Sequence, residues 1–155
     1  LGDWELDTIV GKNHKQAIVT LTERRSGLAL IKRVKRSTAN QVSKAIISML
    51  KPHEKWVHTM TADNGKEFAE HKTMANNLDA DFYFAHPYSP WERGCNENMN
   101  GLIRQYFPKG MDFTSISASD EMFVMDRLNN RPRKRLGFKT PNDVFFGKQE
   151  IALTG

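Results

Sequence analysis

The chain has 155 residues, enough for one domain with a real core. An apolar fraction of 39% with three Trp excludes a disordered chain, no apolar run nears the roughly 18 residues of a membrane span, and a single Cys, Cys95, excludes an intrachain disulfide. Twenty-three Lys and Arg against 18 Asp and Glu leave a net charge of +5, which favours a polyanionic partner.

The first elements read as strands. "WELDTIVG" (4–11) alternates loosely and ends at a Gly. "QAIVTLT" (16–22) and "LALIKRV" (28–34), joined by "ERRSG", form a hairpin. Then the period changes: Ala39, Val42, Ala45, Ile46, Met49 and Leu50 share one helical face, Thr38 with Gln41 matches a capping box, and Pro52 ends the helix. A strand leads into "TADNGKEF" (61–68), where Asn64-Gly65 is a strong turn signal and places Asp63 at the strand's tip. "FAEHKTMANNL" (68–78) reads as a short helix and "DFYFA" (81–85) as a strand. Two further helical stretches follow. Helical crossovers make the later strands parallel to their neighbours, so the expected fold is a mixed five-stranded α/β sheet flanked by helices.

"HPYSPWERGCNENMNGLIRQYFPKG" (86–110) combines a Pro- and Gly-rich loop with a helix from about Cys95 to Phe107. Its expected apolar stripe is Cys95, Met99, Leu102, Ile103 and Tyr106, with Glu97 nearly opposite and Asn100, Gly101 and Arg104 on the polar side. A Glu on such a face is usually only solvated, but the Gly, Asn and Arg around it suit the approach of a phosphate backbone. Asp7 in the first strand, Asp63 at a strand end and Glu97 at a helix start form a set of three carboxylates, with 33 residues between the last two. Clustered carboxylates repel unless protonated or bound to a cation, and oxygen-only ligation suits Mg²⁺ or Mn²⁺.

In this order the motifs "GDWELDTIVG", "TADNGKEF", "HPYSPWERGCNENMNGLIRQYFPKG" and "NNRPRKRLGFKTPNDVF" resemble the catalytic core of the retroviral-integrase superfamily, in its bacterial insertion-sequence transposase branch. The resemblance covers almost the whole chain. It implies a ribonuclease H-like fold and a metal-dependent polynucleotidyl transferase that cleaves DNA at the transposon ends and joins it to target DNA. It matches Asp7, Asp63 and Glu97 to the family's acidic triad, as ligands of two Mg²⁺ or Mn²⁺ ions, and puts Asn100 and Arg104 near DNA. It also implies at least a dimer on DNA, no membrane, and a bacterial cytoplasm, which the lone Cys also fits. An upstream DNA-binding domain is expected outside this stretch, residues 1–155 being the catalytic core and 131–155 an extension of it. A hydrolysis-only ribonuclease H-like nuclease and a non-catalytic DNA-binding module are the alternatives.

Other residues carry plainer readings. Asp3, Glu5, Glu67 and Glu92 are acids near the triad, and Asp3 shares Asp7's side of the strand if alternation holds. His53, His58 and His71 lack metal-ligand spacing; His86 and the Trp91 loop are structural or touch substrate; Cys95 reads as core rather than nucleophile. Basic groups at 23–36 and 130–139, among them Arg131, Arg133, Lys134 and Arg135, are expected to meet phosphates. Thr140-Pro141 reads as a helix start that anchors Val144, Phe145 and Phe146 to the core or to a second subunit.

Overall fold

The computed structural model describes residues 1–86 and 94–154, with side chains described up to residue 147. Five strands form one sheet: β1 (Asp3–Val10), β2 (Ala17–Glu23), β3 (Ala29–Val34), β4 (Thr59–Ala62) and β5 (Asp81–Phe84). Their order is β3-β2-β1-β4-β5; β1 to β3 pair antiparallel, and β4 and β5 join parallel. The parallel joints follow from crossovers through α1 (Ala39–Leu50) and α2 (His71–Leu78). Helices α3 (Gly94–Ile103), α4 (Ala118–Asn129) and α5 (Pro141–Thr154) complete the chain.

Strand alternation divides the core in two. On one face Trp4, Leu6, Val19, Leu21 and Met60 meet Val42, Ile46 and Leu50 of α1 and Met74 and Leu78 of α2. On the other, Ile9, Ile18 and Ile31 meet Met99 and Ile103 of α3 and Val124 and Leu128 of α4. The expected capping box at α1 is half formed. Thr38 accepts from the Gln41 backbone N–H, but the Gln41 side chain turns away to the Arg36 N–H at 3.0 Å. At α5 the box is complete: Thr140 Oγ1 accepts from Asp143 N and Asp143 Oδ2 from Thr140 N, both at 3.1 Å. Phe145 is fully buried edge-on to Trp4, with ring centroids 5.7 Å apart, so it anchors α5 to the core, whereas Phe146 stays exposed.

α3 differs from expectation in two ways. It ends at Ile103, after which Gln105 and Tyr106 bond three residues back, to Leu102 and Ile103, and tighten the chain. Its buried stripe is also rotated: Asn96, Met99, Ile103 and then Phe107 are buried, while Tyr106 is exposed and Cys95 and Leu102 are half-buried. Two asparagines thus lie on the inner side, where the apolar pattern had put Cys95 and Leu102.

Candidate active site

β1 and β4 run parallel in the register Asp3–Thr59, Trp4–Met60, Glu5–Thr61. Two residues further along, that register brings Asp7 beside Asp63, the residue that follows β4. Both belong to the same alternation: Glu5, Asp7 and Ile9 face α3 and α4, and Thr59 and Thr61 precede Asp63 on the side opposite buried Met60 and Ala62. A strand is a stiff mount, so Asp7 is set by β1 itself and Asp63 by the end of β4 and the turn that follows it.

Fixed donors orient each acid. Asp7 Oδ1 accepts from the Thr8 N–H at 2.9 Å, and Asp7 Oδ2 from Asn100 Nδ2 at 2.8 Å. Asp63 Oδ1 accepts from the Gly65 N–H at 2.9 Å, the turn bond that Asn64-Gly65 foreshadows. Glu67 completes the surroundings, Thr8 Oγ1 donating to its Oε1 at 3.4 Å. A Cβ on Gly65 would lie 2.6 Å from Glu67 Oε2 and 2.8 Å from Asp63 Oδ1, so the glycine leaves the space into which both carboxylates converge. These are oxygen donors only, the type that Mg²⁺ and Mn²⁺ favour, and the cradle over Gly65 fits such an ion. Glu97, in the first turn of α3, is exposed to solvent. Among the described residues, no group of three or more His, Cys, Asp or Glu is close enough to hold a metal ion. The register thus sets Asp7 in β1 and Asp63 just past its parallel neighbour β4, and Glu97 does not join them in such a group.

The other expected contacts lie as follows. Asn100 faces the sheet, between Asp7 and Thr20, not the polar outer side. Arg104 donates to the carbonyls of Val10 (3.1 Å) and Phe107 (3.3 Å), and burial lowers its pKa. Arg133 bonds the Leu128 carbonyl at 2.8 Å and Arg135 the Arg25 carbonyl at 3.1 Å, while Arg131 and Lys134 are exposed. Asp3 is exposed and accepts from Thr59 Oγ1 at 2.7 Å. Burial, then the Glu5 carboxylate, pushes the Cys95 thiol pKa up, which does not suit a nucleophile. Glu5 is itself fully buried, with Arg24 Nε 3.8 Å from its Oε2. Trp91, Glu92 and the prolines of the 87–93 loop lie outside the described residues.

Sequence reasoning missed Thr20, Thr22 and Asn96. Their signals were the two threonines alternating inside an otherwise apolar strand and the two asparagines one helical turn apart.

No family model matches the chain. The sheet order and flanking helices are those of an integrase catalytic core, the ribonuclease H-like fold: the catalytic core domain of BIV integrase superposes with a TM-score of 0.74 at 20% identity, covering 97% of each chain. A chain of the simian T-cell lymphotropic virus intasome in complex with PP2A regulatory subunit B56 gamma gives 0.72 at 17% identity, over 92% of this chain and 53% of that one. By sequence, the chain is similar to insertion-sequence transposases. It is 50% identical over 144 residues to the transposase for insertion sequence element IS4351 of Bacteroides fragilis, covering 93% of this chain and 44% of that protein. It is 38% identical over 155 residues to transposase InsI for IS30A of Escherichia coli K12, covering 99% of this chain and 40% of that protein. The chain thus spans less than half the length of these curated relatives. Among the described residues, no helix is long and apolar enough to cross a membrane.

Proposed function

We propose that this chain is the catalytic domain of a DNA transposase that cuts phosphodiesters at the element's ends and joins the freed 3′-hydroxyls to target DNA. The observation that supports this reading is that Asp7 lies in β1 and Asp63 follows β4, the parallel neighbour of β1, with each carboxylate accepting from a backbone N–H. Asp7 and Asp63 would hold Mg²⁺ or Mn²⁺, and Glu97 would complete the site when the first turn of α3 closes on them. Two such ions, when bound, supply charge stabilisation for an in-line phosphoryl displacement. The acids' own task is placement: a strand-mounted pair keeps its spacing while the substrate changes from water to a DNA 3′-hydroxyl. No covalent protein intermediate is required, and the raised thiol pKa of Cys95 agrees with that.

The surface charge fits a DNA partner. Arg131 and Lys134 are exposed and their neighbours add to the positive field. Sequence-specific recognition of the ends would belong to an upstream DNA-binding domain, and synapsis of two ends to a multimer, acting in a bacterial cytoplasm.

Glu97→Gln tests the assignment because it keeps size and polarity but removes charge. The expected outcome in the full-length protein with Mg²⁺ is loss of both cleavage and strand transfer with an unchanged melting temperature, since Glu97 is exposed to solvent. Full activity would show that Glu97 is misassigned. Cleaved ends without joined products, from the parent protein, would indicate a hydrolytic nuclease instead.

A further inference from the structure

The first turns of α3 meet the sheet through polar side chains. Asn96 and Asn100 are four residues apart, about 6 Å along a helix. Thr20 and Thr22 are two residues apart on β2, about 6.8 Å along a strand. The two repeats nearly match, so each asparagine meets one threonine. Thr20 Oγ1 donates to Asn100 Oδ1 at 3.1 Å, and Thr22 Oγ1 to Asn96 Oδ1 at 3.5 Å. Thr20 and Asn96 are fully buried.

Asn100 makes a second bond, donating from Nδ2 to Asp7 Oδ2 at 2.8 Å, while Thr20 stands opposite Asp7 in the β1–β2 register. The geometry fixes the amide's direction. With Oδ1 taken by the Thr20 hydroxyl, Nδ2 must face Asp7; the flipped amide would set two acceptors against each other. Polar contacts are a costly way to seat a helix, since buried polar groups must all be bonded to break even. Further along, the same helix is seated by ordinary apolar contact through Met99, Ile103 and Phe107. The polar stretch coincides with the turn that carries Glu97.

We propose that Asn100 is a positioning residue: it holds the Asp7 carboxylate and, oriented by Thr20, sets the Glu97-bearing turn of α3 against it. This rests on the reading of Asp7 as a metal-binding acid. No other side chain substitutes simply. Leu at position 100 has no donor, and Asp would turn a second acceptor toward Asp7. This role differs from the DNA contact that family resemblance implies for Asn100, and the two predict different measurements.

The test is Mn²⁺ affinity by titration calorimetry on the full-length protein without DNA, alongside duplex-DNA affinity at fixed salt. Partners that orient a metal ligand typically change metal affinity by about 10- to 100-fold when removed. Asn100→Ala should therefore weaken Mn²⁺ binding about 10-fold or more with DNA affinity unchanged. Thr20→Val, buried and out of DNA's reach, should weaken it by a smaller factor of about 3, and Thr20→Ser should restore it. The double variant should bind Mn²⁺ no more weakly than Asn100→Ala alone, because both changes break one relay. Parental Mn²⁺ affinity in both single variants would overturn the proposal. So would weakened DNA binding in Asn100→Ala with unchanged Mn²⁺ affinity, which would make Asn100 a DNA contact. Asp7→Asn separates the layers. If it too leaves Mn²⁺ affinity unchanged, the reading of Asp7 has failed; if it abolishes binding while the other variants retain it, only the role of Asn100 has failed.

Discussion

On one face of the sheet, α1, α2 and Phe145 of α5 close over Trp4, Leu6, Val19 and Met60 with apolar atoms alone; on the other, α3 reaches the same strands partly through Asn96 and Asn100. The first face needs only volume and shape, because burial of apolar area is non-directional. The second needs direction, because a hydrogen bond fails when its donor is misaimed. One face therefore supplies stability and the other supplies geometry, and substitutions on each should fail in different assays.

The sharpest way to break the apolar side is Phe145→Ala. It empties a fully buried aromatic site against Trp4 and should cost about 3–5 kcal/mol by denaturant unfolding. Activity per folded molecule should survive. A loss of less than about 1 kcal/mol would mean that α5 is not part of the core.

The matching break on the polar side is Gly65→Ala. The glycine's φ of −78° is ordinary, so backbone strain is not the issue. The added Cβ would press on Glu67 Oε2 and Asp63 Oδ1, both ends of movable side chains. Cleavage should fall about tenfold or more, the size of effect expected when positioning is disturbed, while stability should change by less than about 1 kcal/mol. Parental cleavage rates would show that the cradle has no part in chemistry.

Asn96→Leu sharpens the contrast within the polar rungs. Among the described residues, Asn96 Nδ2 is buried without a hydrogen-bond partner, so an apolar side chain of similar volume should be neutral or stabilising, within about 1 kcal/mol by thermal unfolding. Strand transfer should nonetheless decline, since one of the two rungs that orient α3 is gone. Clear destabilisation would instead show that the Thr22 bond outweighs the buried amide's cost.

The smallest effect belongs to the surface. Of the four cations at 131, 133, 134 and 135, Arg133 and Arg135 bond backbone carbonyls, while Arg131 and Lys134 are exposed. Changing those two to Ala should reduce the salt dependence of DNA binding by about two units of log–log slope at most, at about 0.9 per phosphate contact. An unchanged slope would remove this segment from the DNA footprint.

The sequence exposed the apolar face far better than the polar one, for a physical reason. Strand alternation and the α1 stripe report burial through apolarity, so Val42, Ile46 and Leu50 could be placed in advance. Asn64-Gly65 located Asp63 at a strand tip because turn chemistry is local. Thr140-Pro141 likewise marked the start of α5. The seating of α3 was hidden because Asn96 and Asn100 are buried yet polar, and periodicity counts such residues as outward-facing. The bonds of Arg104 were hidden similarly: a cation in this segment suggests solvent or phosphate, and its guanidinium also ties down the carbonyl at the end of β1. Only the strand register, which depends on the whole sheet, makes Asp7 and Asp63 neighbours.

The contact between Trp4 and Phe145 has a consequence during synthesis on the ribosome. The ring from the first strand waits without its edge-on partner until Phe145, 141 residues further along the chain, has been made. Five strands can pair before then, but the apolar face stays open to water and to neighbouring nascent chains. The domain is therefore sealed by a late element, and a chain stalled before residue 145 has α1 and α2 on this face but lacks the ring that covers Trp4.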